Sequence, residues 1–234
     1  RRIEKTSGEI TLDGVDLHKN PNAMHEVYLS SSDNWFPREY KFKDLLAIYQ
    51  GTYPEFDMEF AEDLIKVFDV NVKGNYSKAS TGYQSIMKII LALANPSEYI
   101  FLDEPVLGLD ANHRQIFNKK LLEAYARRPR TFVIATHLIE EVASILEKVI
   151  VIKDGVVTEE VLVEDVLHKG YVVSGASTLV EEYVADKKVL ETDRIGNLTR
   201  SVVIGAIGEA QPGLEFSPLT LQDYFISITR KENE

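Results

Sequence analysis

Apolar and polar residues alternate near the start of the chain. Ile10, Leu12, Val15 and Leu17 carry the apolar side, and Asp13-Gly14 falls between the two pairs. This predicts a hairpin, or a strand and its bend. Glu26–Leu29 predicts a short strand, followed by the polar loop Ser30–Asn34. From Phe36 to Asn95 the apolar spacing becomes helical. Phe42, Leu45, Leu46 and Tyr49 define one helix, which Tyr53-Pro54 ends. Asp57 is a candidate N-cap for a second, carrying Phe60, Leu64, Ile65 and Phe68. After a polar, glycine-containing loop over 73–82, a third helix carries Ile86, Met87, Ile89, Ile90 and Leu93 and ends near Asn95-Pro96. Tyr99–Leu102 is a continuous apolar run, the pattern of a strand buried on both faces. It ends in Asp103-Glu104, and Pro105 stops it.

A helix over 113–125, a buried strand over 131–135, a helix over 138–147 and a strand over 148–153 follow, with a turn at Asp154-Gly155. Strand and helix in alternation imply right-handed crossovers and a parallel sheet. After Thr158 the order of elements changes. Strands are expected over 170–175, 188–192 and 201–206, and helices over 177–185 and 219–229. This reads as a small α+β appendage.

Bulk properties narrow the function classes. A length of 234 residues allows a sizeable core. The absence of cysteine excludes a disulfide framework and thiol chemistry. No apolar run approaches the roughly 20 residues that cross a bilayer as a helix, and the N-terminus does not have the form of a signal peptide. A net charge of −11 argues against a nucleic-acid binder. The one notable basic cluster, Arg127, Arg128 and Arg130, reads as a solvated helix end.

The chemistry gathers around Asp103-Glu104. Two adjacent acids at the carboxyl end of a strand repel one another, and partial burial disfavours their charge. A metal ion or an activated water relieves both. In open α/β sheets such chemistry lies beyond the strand ends. Taken singly, Ser80 is an N-cap, Asp110 a turn residue and His137 a loop histidine. Taken together they form a series. Ala79-Ser-Thr-Gly-Tyr83 opens a helix, Asp103-Glu104 ends a strand, Gly108-Leu-Asp110 follows, and Thr136-His137 ends the next strand.

That order and spacing resemble the nucleotide-binding domain of ATP-binding-cassette (ABC) ATPases, over about residues 7–158. Asp103-Glu104 match the Walker B pair, Ala79–Tyr83 the signature loop, Gly108–Asp110 the D-loop and His137 the switch histidine. The resemblance implies an α/β fold: a P-loop NTPase (RecA-like) parallel-sheet core with an inserted helical subdomain and a small C-terminal appendage. The core would comprise 1–36 and 97–158, the helical subdomain 37–96 and the accessory region 159–234. The resemblance also implies the ligands ATP and Mg²⁺. Asp103 would hold the metal shell, Glu104 would orient or deprotonate the attacking water, and His137 would sense the γ-phosphate. Ser80, Thr81 and Gly82 would cap nucleotide bound to a second ATPase subunit, identical or not, and Asp110 would reach across the same interface. Membrane-spanning transporter subunits would be the partners, with the chain peripheral on the cytoplasmic face of the membrane.

The sequence departs from the family pattern in three ways. It contains no Gly-x-x-x-x-Gly-Lys-Ser/Thr. That phosphate-cradling loop is expected upstream of Arg1, so residues 1–234 alone are expected to bind ATP weakly. Ala79, Thr81 and Tyr83 replace the usual Leu, first Gly and Gln of the signature. Where the family offers a Gln between subdomains, the sequence has Leu29-Ser30-Ser31, making Ser31 the nearest candidate for the metal shell, through a water or with Asp33. Trp35-Phe36-Pro37 and Tyr40 are candidates for the membrane-partner contact, or for packing within the subdomain. The appendage resembles those of small bacterial exporter-type ATPases. Two alternatives remain at this stage: a nucleotide-sensing or regulatory domain with weak or no hydrolysis, and a soluble ABC protein acting on ribosomes or DNA. The retained Glu104 and His137 disfavour the first. The second would bring tandem cassettes, a basic arm or a coiled-coil insertion, which the sequence lacks.

Overall fold

In a computed structural model that describes residues 6–17, 19–20, 23–33, 36–209 and 211–229, the chain forms two units, Arg1–Leu138 and Ile139–Glu234. Trp35, and the chain start at Arg1-Arg2, lie outside the described residues.

The first unit opens with the expected hairpin, Thr11–Leu12 (β1) against Val15–Asp16 (β2). Asp13 and Gly14 both have left-handed backbones, φ 50° and 80°, as a two-residue hairpin turn matching the strand twist requires. A short helix, Ala23–Glu26 (α1), leads into Val27–Ser30 (β3). The helical stretch follows the predicted spacing. Phe42–Thr52 (α2) buries Phe42, Leu45 and Leu46. Met58–Val67 (α3) buries Phe60, Ala61 and Leu64, and Asp57 Oδ1 caps it by accepting from the Phe60 amide at 2.9 Å. Such a cap is worth about 1 kcal/mol. Thr81–Leu93 (α4) is buried at seven positions from Ile86 to Leu93, because it packs on α2, α3, β3 and Ala111–Arg127 (α5).

Val27–Ser30, Tyr99–Asp103 (β4) and Thr131–Ala135 (β5) make a parallel sheet in the order β3-β4-β5. Ile100 and Leu102 are buried, but Phe101 is 37% exposed. It stands in register between Leu29 and Val133, which are also exposed. The apolar run is therefore buried on one face, not on both as its composition suggests. Period-2 geometry sends alternate side chains to opposite faces, and only the Ile100–Leu102 face is buried. The expected solvated Arg cluster also differs. Arg130 is 9% exposed and donates to the carbonyls of Leu93 (2.6 Å) and Asn95. Carbonyls at a helix C-terminus lack intrahelical donors, and a guanidinium supplies them.

The second unit begins with Ile139–Val142 (α6), then Lys148–Lys153 (β6) and Val156–Leu162 (β7). The strand at 148–153 does not extend the parallel alternation. It pairs antiparallel with β7, because Asp154 (φ 51°) and Gly155 (φ 77°) close a tight hairpin. Val163–His168 (α7), Gly170–Ala176 (β8), Ser177–Val184 (α8), Lys188–Ile195 (β9), Leu198–Ile204 (β10), Leu214–Pro218 (β11) and Leu221–Thr229 (α9) complete it. The sheet is antiparallel in the order β11-β8-β10-β9. One cluster joins Val172 and Val202 to Val166 and Tyr224, and another joins Tyr171, Val173 and Val203 to Val180 and Tyr183. Strands β7 and β11 and helix α7 were not legible in the apolar pattern.

Candidate active site

The carboxyl ends of the three parallel strands bring together the loop after β3, the acid pair after β4, and Thr136-His137 after β5. Asp103 Oδ2 accepts twice from Ser32, from its hydroxyl at 2.6 Å and its amide at 3.1 Å. The Ser31 hydroxyl is turned instead to its own loop, where it accepts from the Asp33 amide at 3.2 Å. Ser32, one residue beyond the expected position, is thus the residue that holds Asp103. Lys88 of α4 braces the same loop. Its ammonium donates to the carbonyls of Ser31 (2.9 Å), Ser32 (2.8 Å) and Asp33 (2.9 Å). Burial pulls the Lys88 pKa below the ordinary lysine value, against the opposing pull of Asp33 and Asp103.

Glu104 has φ 47°, a left-handed backbone rare for a residue with a side chain. Its amide donates to Ala135 O at 2.8 Å. Its carboxylate accepts from the Thr136 hydroxyl (2.8 Å) and the His137 amide (3.2 Å), and His137 Nδ1 lies 2.8 Å from Oε1. Burial pushes the Glu104 pKa up. The His137 ring, the Thr136 hydroxyl and the His137 amide together outweigh it and leave the carboxyl below its ordinary value. Glu104 is therefore a poised anion with three partners, beside an imidazole that is 68% exposed.

The signature-like segment and the turn after the acid pair touch. A Cβ on Gly82 would lie 2.3 Å from Gly108 O, and Gly108 has φ 78°. Ser85 Oγ adds a bond to Leu107 O at 3.1 Å. Ser80 accepts from the Tyr83 amide at 3.3 Å and caps α4. Asp110 caps α5, accepting from the His113 amide and bonded to its Nδ1, both at 2.9 Å. These two bonds hold its carboxyl below the usual range. A small cavity is lined by Ser31, Ser32, Thr81, Lys88, Asp103 and Glu104 among others. Ser80, Gly82, Asp110 and His137 do not line it.

Beside the Lys88 ammonium and the Gln84 amide, the cavity is lined by the oxygen-bearing side chains of serine, threonine, Asp103 and Glu104, and oxygen ligands suit a hard divalent cation. Among the described residues no group of three or more His, Cys, Asp or Glu could hold a metal ion alone. Mg²⁺ needs only one or two protein carboxylates and completes its shell with phosphate oxygens and water. Asp103, with Glu104 next to it, fits that share. Sequence reading missed Ser32, Lys88 and the part played by Thr136. Lys88 carried a signal, as the one charged residue of α4, since a charge in a buried apolar helix needs partners. The run Ser30-Ser31-Ser32 gave no means of choosing among three hydroxyls.

The parallel order β3-β4-β5, with helices α2 to α4 between β3 and β4, is the arrangement that the comparisons with known proteins address. No protein-family model matches the chain. A solved structure described as the ATP-binding subunit of an ABC transporter matches with a TM-score of 0.61 at 17% identity, covering 69% of each chain. The ABC transporter ATP-binding protein YtrB of Bacillus subtilis is 26% identical over 187 residues, which cover 80% of this chain and 60% of YtrB. The glycine betaine/carnitine transport ATP-binding protein GbuA of Listeria monocytogenes is 27% identical over 197 residues, 80% of this chain and 48% of GbuA. The curated homologues of this chain are thus ABC transporter ATP-binding proteins, of which it spans about half to two thirds of the length.

Proposed function

We propose that this chain carries the water-activating and phosphate-sensing part of an ATP-binding and hydrolysing subunit of an ABC transporter. The observation that supports it most is the Glu104 carboxylate, ionised, fixed by Thr136 and His137, and adjacent to Asp103. In this reading Glu104 orients the attacking water and takes its proton as the water oxygen bonds to the γ-phosphorus and the bond to the ADP oxygen breaks. Asp103, held by Ser32, would offer an oxygen to the Mg²⁺ shell, and the ion would supply neutralisation of charge on the phosphates. His137 orients Glu104 through Nδ1 and presents the rest of its ring to the γ-phosphate. Ser80, Thr81 and Gly82 cap nucleotide held by a second ATPase subunit, and Asp110 belongs to that interface. Membrane-spanning subunits are the partners, and the chain works at the cytoplasmic face of the membrane. Among the described residues no helix is long and apolar enough to cross a membrane.

His137→Ala in the full-length protein tests the sensor role. Turnover is expected to fall by about 100-fold or more, with ATP affinity changed less than threefold by calorimetry. A loss of affinity as large as the loss of rate would contradict it.

A further inference from the structure

Lys88 plays no part in the chemistry proposed above, yet it makes three of the best-formed side-chain bonds at the site. Its ammonium has three hydrogens, and three successive carbonyls, those of Ser31, Ser32 and Asp33, accept them at 2.8–2.9 Å. A lysine stem carries high rotamer entropy, so a threefold contact of this kind fixes both partners. Three carbonyls converging on one point also impose a curved path on the loop. That path sets the amide and hydroxyl of Ser32 together on Asp103 Oδ2. The chain of contacts runs from helix α4, through Lys88, to the loop after β3, to Ser32 and to Asp103. Helix α4 begins at Thr81, so the helix whose start presents Ser80–Gly82 is the one that holds the metal carboxylate's support.

We propose that Lys88 is a positioning residue. It clamps the loop after β3 so that Ser32 orients Asp103 toward the metal, and thereby ties the setting of helix α4 to metal affinity. The inference rests on Asp103 serving the Mg²⁺ shell. Groups that orient a metal ligand from behind commonly change metal affinity by 10–100-fold when removed.

The test uses the full-length protein with Lys88→Met, which keeps the stem and removes the charge, and Lys88→Arg, which restores donors. Hydrogen–deuterium exchange is followed in the peptide covering residues 27–33, and the half-saturating Mn²⁺ concentration is read by water proton relaxation in the presence of ATP. Lys88→Met is expected to speed exchange in that peptide by about tenfold and to raise half-saturating Mn²⁺ by about tenfold, with the ATP concentration dependence at saturating metal unchanged. Lys88→Arg is expected to recover most of both. Ser32→Ala is expected to raise half-saturating Mn²⁺ similarly, and the Lys88→Met, Ser32→Ala double variant no further, since the two act in series. Unchanged exchange in Lys88→Met would overturn the clamp. Faster exchange with unchanged Mn²⁺ half-saturation would overturn its link to Asp103. Absence of ATP hydrolysis in the wild-type protein would overturn the reading of the site as an ATPase, while the exchange measurement would still decide whether Lys88 holds the loop.

Discussion

Glu104 combines a left-handed backbone with an ionised, three-partner carboxylate. Such a conformation costs of order 1–3 kcal/mol, and strained residues of this kind concentrate at functional sites. Its amide bond to Ala135 O helps hold the bend that sets the carboxylate against the end of β5. The presence of an acid here was legible, because an apolar run ending in two carboxylates at a strand end has few structural explanations. Its partners were less so. Thr136 stood beside the candidate histidine without a role, and Ser32 could not be told from its neighbours. The depressed Glu104 pKa has a pH consequence. A carboxyl lowered in the folded state adds stability above its unfolded value, and that stability is lost as pH falls through the folded one. Thr136→Val removes one of the bonds that lower it. The variant is therefore expected to be less stable than wild type at neutral pH, with the difference shrinking as pH drops below the ordinary carboxylate range. Thermal unfolding across pH checks this, and a difference that grows in acid would contradict it.

Among the elements, α4 is the most constrained. Its apolar periodicity and its Ser80 cap were readable in the sequence. Its contact with the turn after β4 was not, because nothing local says what a glycine touches. Gly82, expected from the sequence to belong to the signature loop, has a packing requirement, since a Cβ on it would meet Gly108 O. A methyl there must push the two segments apart, and overpacking of this kind costs about 1–3 kcal/mol. Gly82→Ala is expected to lower stability by that amount without nucleotide present, as measured by chemical denaturation. Unchanged stability would mean the two segments separate freely. The strand pattern misled at β4, at β5, which was read as buried and has no buried residue, and at β6, which pairs antiparallel. Four apolar residues suggested a strand covered on both sides, while Phe101, Leu29 and Val133 form an exposed apolar row. A parallel sheet usually has both faces covered, whereas here only the Ile100–Leu102 face of β4 is buried.

At the scale of the molecule, the order of motifs carried more information than any single one. Leu102-Asp-Glu-Pro105, Gly108-Leu-Asp110 and Thr136-His137 are each short and common. Their succession at strand ends is not, and the structure places the first and last of them within hydrogen-bond distance through Glu104 and His137. Residues 159–234 were read as α+β, and the second unit, which begins at Ile139, has an antiparallel sheet with clusters containing residues of both faces. Its edge elements escaped because short strands after a hairpin leave little periodicity to read. Glu104 is proposed to activate water in an ATPase that works as a dimer around nucleotide, and this role is a matter of rate and assembly together. It is tested most directly by Glu104→Gln in the full-length protein, with phosphate release and molecular mass measured together in ATP and Mg²⁺. The account predicts phosphate release at least about 100-fold slower and a stable ATP-bound dimer, since binding survives and turnover does not. Wild-type phosphate release by the Glu104→Gln protein would contradict it.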